Sequence, residues 1–184
     1  MPNPAATPAA KPQHLIVTDG KRFLITAAMV LGNLVLPLAV HQIPDAGRML
    51  LPIFFFTLIG GWRFGAQVGI LTALLSPLAN HYLTGMPPAP ALQDLMLQGA
   101  LLGALASLAA ARRPRATLAL LALVVLAHQA LTLLPVLMHS GLHLALATLK
   151  LHLPGILLLI LGGYAALRLL ERYLPQSPNA PREG

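Results

Sequence analysis

Apolar residues run along this chain in six long blocks, separated by short polar or Gly/Pro-rich breaks. They cover Phe23 to Val40, Ala46 to Gly61, Phe64 to Thr84, Leu92 to Ala111, Leu118 to Met138 and Leu144 to Leu170. A helix that crosses a bilayer needs about 20 predominantly apolar residues. The pattern therefore predicts an all-α integral membrane protein, a bundle of six transmembrane helices. The second block is short for a span. It reads either as a tilted partial crossing or as a helix with one end inside the bundle rather than in lipid. Prolines and glycines within the blocks predict helices that bend.

Composition agrees. The chain of 184 residues is 57% hydrophobic and 9% charged, with a mean hydropathy of +0.74. A soluble domain carries about 25% charged residues, and so few charges could not cover a water-facing surface. There is no cysteine, which excludes disulfides and thiolate metal sites and leaves compartment unreadable from redox usage. Residues 1–20 are rich in Pro and Ala and lack the basic-then-apolar order of a cleavable signal peptide. They read as a disordered tail, as do residues 175–184, leaving 21–174 as one membrane domain.

Charge then sets the expected orientation. The net charge of +7 raises the question of nucleic acid, but the basic residues sit at the ends of apolar blocks, where they fix topology. With the N-terminus cytoplasmic, the inner segments hold Lys11, Lys21, Arg22, Arg63, Arg112, Arg113, Arg115, Arg168, Arg172 and Arg182. The outer ones hold only Arg48 and Lys150. Lys and Arg concentrate on the cytoplasmic side of membrane proteins. The expectation is a multi-pass protein of the cytoplasmic (inner) membrane with both termini inside and no nucleic-acid partner.

The same division places polar chemistry at the outer ends. His41, His81, His139, His143 and His152 fall there, with Asp45 and Asp94. Lys150 lies in an otherwise apolar run, where a charge costs about 3 kcal/mol at mid-span. It either faces the bundle interior or snorkels to the outer interface. Arg48 beside Asp45 is either an exposed pair or a clamp for a carboxylate or phosphate. His41 ends the first span, and Asn80 and His81 end the third. His128 and Gln129 stand in the fifth, where an interhelical hydrogen bond is the simplest reading.

Other chemistries find little footing. No H-E-x-x-H pattern occurs, and Gly141 interrupts the His139–His143 pair, so no metal or cofactor is expected. No nucleophile elbow or paired intramembrane carboxylates point to an enzyme. All five carboxylates lie at ends or in loops, unlike the buried relays of ion pumps. No P-loop is present, so any transport draws its energy from another chain. Ala28 and Gly32 on the first span, and Gly99, Gly103 and Ser107 on the fourth, are small residues at four-residue spacing. They suit close helix packing, either within the bundle or against a separate subunit.

The stretch from Gly47 to Pro88 resembles the second-to-fourth-helix region of the substrate-binding S components of energy-coupling factor (ECF) vitamin transporters. The similarity rests on Leu51-Pro52, the glycine turn Gly60-Gly61 to Gly65, Gly65-x-x-x-Gly69, Leu74 to Pro77 and Thr84 to Pro87. Leu153 to Ile156 is similar to the last helix of such proteins. The resemblance implies a six-helix subunit that captures a vitamin or related micronutrient at the outer face. It further implies association with a transmembrane coupling subunit and two cytoplasmic ATPases, and toppling in the membrane to release substrate. The small-residue motif of the first helix, here Ala28 and Gly32, would contact the coupling subunit. The N-terminal Met-His motif of nickel and cobalt members is missing, and no signature for biotin, thiamine, riboflavin or folate is present.

The residues and the resemblance converge on an outer site comprising His41, Arg48, Asn80, His81, His139 and Lys150. Two cations and several histidines there favour a small anionic or heteroaromatic nutrient. The rival classes are a membrane scaffold or assembly subunit without a ligand, and a lipid-directed membrane enzyme.

Overall fold

The computed structural model describes residues 19–40 and 52–174, whose regular structure is entirely helical. Helix α1 is Asp19–Val40. A 3-10 turn, Pro52–Phe54, runs into α2, Phe55–Phe64. Helix α3, Ala66–Thr84, follows after the single residue Gly65, and α4 is Ala89–Arg112. The stretch Leu118–Leu157 is two helices meeting at Gly141, α5 (118–140) and α6 (142–157). A π-helical turn, Leu158–Gly162, carries α6 into α7, Gly163–Tyr173. The six apolar blocks are thus helical where they are described, except at Gly65 near the start of the third.

The helix ends follow from local chemistry. Gly65, at φ 93° and ψ 173°, reverses the chain between α2 and α3 in one residue. That backbone region is open essentially to glycine alone, so the break falls there and not between Gly61 and Phe64, where the apolar pattern put it. Gly85 ends α3 in the left-handed conformation, its N–H donating to the His81 carbonyl at 2.8 Å. Pro88 precedes α4 and Pro90 occupies its first turn, where the missing N–H costs nothing. The Thr117 hydroxyl caps α5 by accepting from the Leu120 N–H at 3.3 Å.

The short second block has its explanation in packing. From Thr57 to Trp62 every residue of α2 is buried, with α1, α3, α4 and α7 against it. Ten residues rise about 15 Å, half of a bilayer core, and this helix has no need of lipid on its sides. The first part of the predicted block, from Ala46, lies outside the described residues.

Three glycines set the distances around α2. A Cβ on Gly61 would stand 2.5 Å from the Gly103 carbonyl oxygen, one on Gly103 2.8 Å from the Gly69 carbonyl carbon, and one on Gly69 2.7 Å from the Gly61 Cα. Helices α2, α3 and α4 therefore meet backbone to backbone. Gly99 likewise sits against Ala73, so α3 and α4 run antiparallel, and the small-residue stripe of α4 is consumed inside the chain.

Polarity is turned inside out. Asn33, Thr57, Thr72 and Ser76 are fully buried, while Leu31, Val35, Leu123 and Leu161 are more than half exposed. Two helical stretches are long and apolar enough to cross a membrane, Ala89–Arg112 and Leu118–Tyr173, and only 28% of each apolar window is buried. A core helix of a soluble protein would be mostly enclosed.

Candidate functional site

Hydrogen bonds between distant segments define the two ends of the bundle. Arg22 on α1 donates to the Gln67 side chain at the start of α3 (2.9 Å), and the Trp62 indole donates to the Pro114 carbonyl (3.2 Å). An Arg63 guanidinium N–H meets the Leu174 carbonyl, and the Ala116 N–H donates to Glu171 (3.4 Å), itself paired with Arg168 (2.9 Å). This end gathers Lys21, Arg22, Arg63, Arg112, Arg113, Arg115, Arg168 and Arg172. Among the described residues, the one Lys or Arg elsewhere is Lys150.

The opposite end holds the Thr84–Ala89 loop and the Gly141 junction. His41 and Arg48 lie outside the described residues. Asn80 is buried near the end of α3, where its carbonyl and side-chain oxygens both accept from the Thr84 hydroxyl (2.7 and 3.3 Å). His81 Nδ1 donates to the Pro87 carbonyl (2.8 Å), and its ring packs edge-on to Tyr82. Asn80 and His81 thereby tie the loop onto α3. His139 is exposed and bonds only back to the Pro135 carbonyl of its own helix (2.9 Å). His143 is also exposed, and the break at Gly141 keeps the two histidines off a common helix face. Lys150 is exposed on α6. Among the described residues, no hydrogen bond joins Asn80, His81, His139 and Lys150 to one another.

Two polar sets do connect helices. The first is at Asn33, whose amide donates to Thr57 (3.3 Å) and Ser76 (3.0 Å) while its oxygen accepts from the Phe56 N–H (3.1 Å). Phe56 is the second residue of α2, whose first-turn amides lack intrahelical partners. With no side-chain cap from Phe54, Asn33 caps α2 from a neighbouring helix.

The second set lies at mid-depth between α4, α5 and α6. His128 Nε2 donates to the Gln98 carbonyl (3.0 Å) with its ring edge-on to Phe54, centroids 5.7 Å apart. Gln129 bonds through its amide nitrogen to His152 Nδ1 (2.9 Å). His128 is thus the interhelical bond that its apolar surroundings suggested. His152 is not an outer-end residue: it sits level with Gln129, about 16 Å along the helix from Gly141.

Gln98, Gln129 and His152 escape a reading of the sequence for site residues. The His-Gln pair is a visible signal within an apolar block. Adjacent helical positions diverge by about 100°, however, so the two side chains face different neighbours, which spacing does not identify. Ala28 is exposed on α1, while Gly32 lies against the Phe56 ring of this chain, where a Cβ would come within 2.6 Å. Among the described residues no three His, Cys, Asp or Glu side chains are placed to hold a metal ion. Comparison with protein-family models, with curated proteins and with solved structures finds no match.

Proposed function

We propose that the chain is the substrate-capture subunit, or S component, of an ECF-type importer. It crosses the cytoplasmic membrane as a six-helix bundle with both termini inside, takes up a vitamin-like micronutrient from the outer half, and delivers it through a coupling subunit driven by two ATPases. One observation carries the reading: a bundle with apolar side chains outward encloses a polar set joining α4, α5 and α6 at mid-depth. Intramembrane polar groups are costly and mark ligand or ion paths.

The basic end fits the cytoplasmic face. The Gly47–Pro88 block that carries the resemblance includes the α2–α3 hairpin, whose glycines bring three helices into backbone contact. On α1, exposed Ala28 with Phe23, Leu24, Leu31 and Val35 offers an uncovered apolar face to a coupling subunit. Native mass spectrometry of the full chain purified in detergent tests the reading. A small molecule released on mild activation is expected. Apo mass from every preparation, with no complex formed on co-expression with an ECF coupling subunit, overturns it.

A further inference from the structure

The Thr26 and Thr72 hydroxyls are buried without a partner, but His128 and Gln129 leave ring and amide atoms free where three helices meet. A carbonyl oxygen only accepts, so the proton facing Gln98 is on His128 Nε2. In the neutral ring Nδ1 is then a lone pair, and it is buried without a partner on a side chain only 1% exposed. One residue on, Gln129 is 4% exposed and shares one hydrogen bond with half-buried His152.

The second polar atom of each partner is uncommitted. With the amide nitrogen donating to His152 Nδ1, the Gln129 oxygen is a free acceptor and His152 Nε2–H a free donor. Turn the amide over, and Gln129 offers the donor and His152 Nε2 the lone pair. Either orientation leaves at least one donor and one acceptor. Unlike His128 Nδ1, neither atom is sealed from contact.

We propose that Gln129 and His152 form a donor–acceptor couple that reads adjacent N–H and C=O groups on a neutral ligand, such as a lactam or cyclic amide, with His128 beside it. This rests on the capture-subunit reading above and narrows its ligand. A carboxylate or phosphate presents acceptors alone, so it satisfies the donor and leaves the acceptor facing like charge. Among the described residues no Lys or Arg bonds to His128, Gln129 or His152, and the one cation away from the basic end, Lys150, is exposed. Neutral recognition follows because buried polar groups penalise a ligand that leaves them unpaired.

Matched probes test the proposal on the full chain in detergent. Uracil and nicotinamide carry the neutral edge, and nicotinate replaces the amide of nicotinamide by a carboxylate on the same ring. Thermal stabilisation is titrated against each. Saturable stabilisation by a neutral probe is expected, with nicotinate about tenfold weaker than nicotinamide or worse. Gln129→Leu and His152→Leu are each expected to weaken it about tenfold. His152→Gln, which keeps a donor and an acceptor, binds within a few-fold and shows that the fold has survived. Silence from both neutral probes, equal binding of nicotinate and nicotinamide, or undiminished binding by the leucine variants overturns the proposal. A co-purified small molecule in native mass spectra, or a complex with an ECF coupling subunit, alongside any of these results leaves the capture reading standing; the absence of both removes both readings.

Discussion

Asn33 satisfies three groups on two neighbouring helices: the Phe56 N–H, the Thr57 hydroxyl and the Ser76 hydroxyl. Thr57 and Ser76 are fully buried and Phe56 is half-buried. Asn33→Leu leaves the Phe56 N–H unpaired, at about 1–3 kcal/mol, and removes the interhelical bonds to Thr57 and Ser76, whose hydroxyls keep their own bonds to the Ile53 and Thr72 carbonyls. A clear fall in the detergent unfolding midpoint is expected, and an unchanged midpoint would remove the capping role. His128 predicts the reverse pattern. Its partner, the Gln98 carbonyl, belongs to α4 and retains a helical N–H from Leu102, while Nδ1 is unpaired. His128→Phe should thus unfold within about 1 kcal/mol of the wild type, since it removes the orphan nitrogen and leaves no cavity beside Phe54. His128→Ala should cost about 3 kcal/mol by opening a cavity beside Phe54. Equal losses in the two variants would mean that the hydrogen bond, not the packing, holds α4 to α5.

At the scale of elements, the α2–α3–α4 unit depends on the absence of side chains. In Gly69→Ala the new Cβ meets the Gly61 backbone at 2.7 Å, and backbone cannot rotate away as a side-chain tip can. Overpacking of this kind costs about 1–3 kcal/mol. Gly85→Ala, which meets no atom within 4 Å, carries no such clash, only the strain of its left-handed backbone. Gly65→Ala tests the hairpin: its φ of 93° and ψ of 173° lie where a side chain costs about 1–3 kcal/mol. Thermal unfolding of Gly69→Ala and Gly65→Ala, with Gly85→Ala for comparison, checks the ranking. If Gly85→Ala proves the worst of the three, the close contact and the one-residue reversal do not govern the unit. The π turn at Leu158–Gly162 places Gly162 against Phe55, with a Cβ distance of 3.1 Å. A local widening of the helix thereby seats the π turn on α2, which α7 also contacts.

At the scale of the whole molecule, the clustering of eight cations at one end predicts topology. The native chain has no cysteine, so single introduced cysteines report sidedness without background. In intact cells, Pro114→Cys should resist a membrane-impermeant maleimide until the membrane is opened, and Met86→Cys should react at once. The opposite result would invert the orientation, and labelling of both would exclude a crossing between them. Reversing Arg112, Arg113 and Arg115 to Glu should weaken the bias, seen as labelling at position 114 in part of the population.

The order of apolar blocks by itself determined the helical class, the approximate limits of five blocks, and the gathering of Lys and Arg at one end. These depend on hydropathy and spacing along the chain, which are local. It also marked His128-Gln129 as out of place in an apolar run. Only the tertiary structure decided which neighbours those side chains meet, that the short second block is an enclosed helix, that the α4 glycines face inward, and that His152 pairs at mid-depth. The reason is geometric. A helix repeats every 3.6 residues, so a polar position has a well-defined direction relative to its own helix and none relative to the others until crossing contacts set the rotation. In this chain, backbone contacts at Gly61, Gly69 and Gly103 and the bonds of Asn33, His128 and Gln129 make that choice.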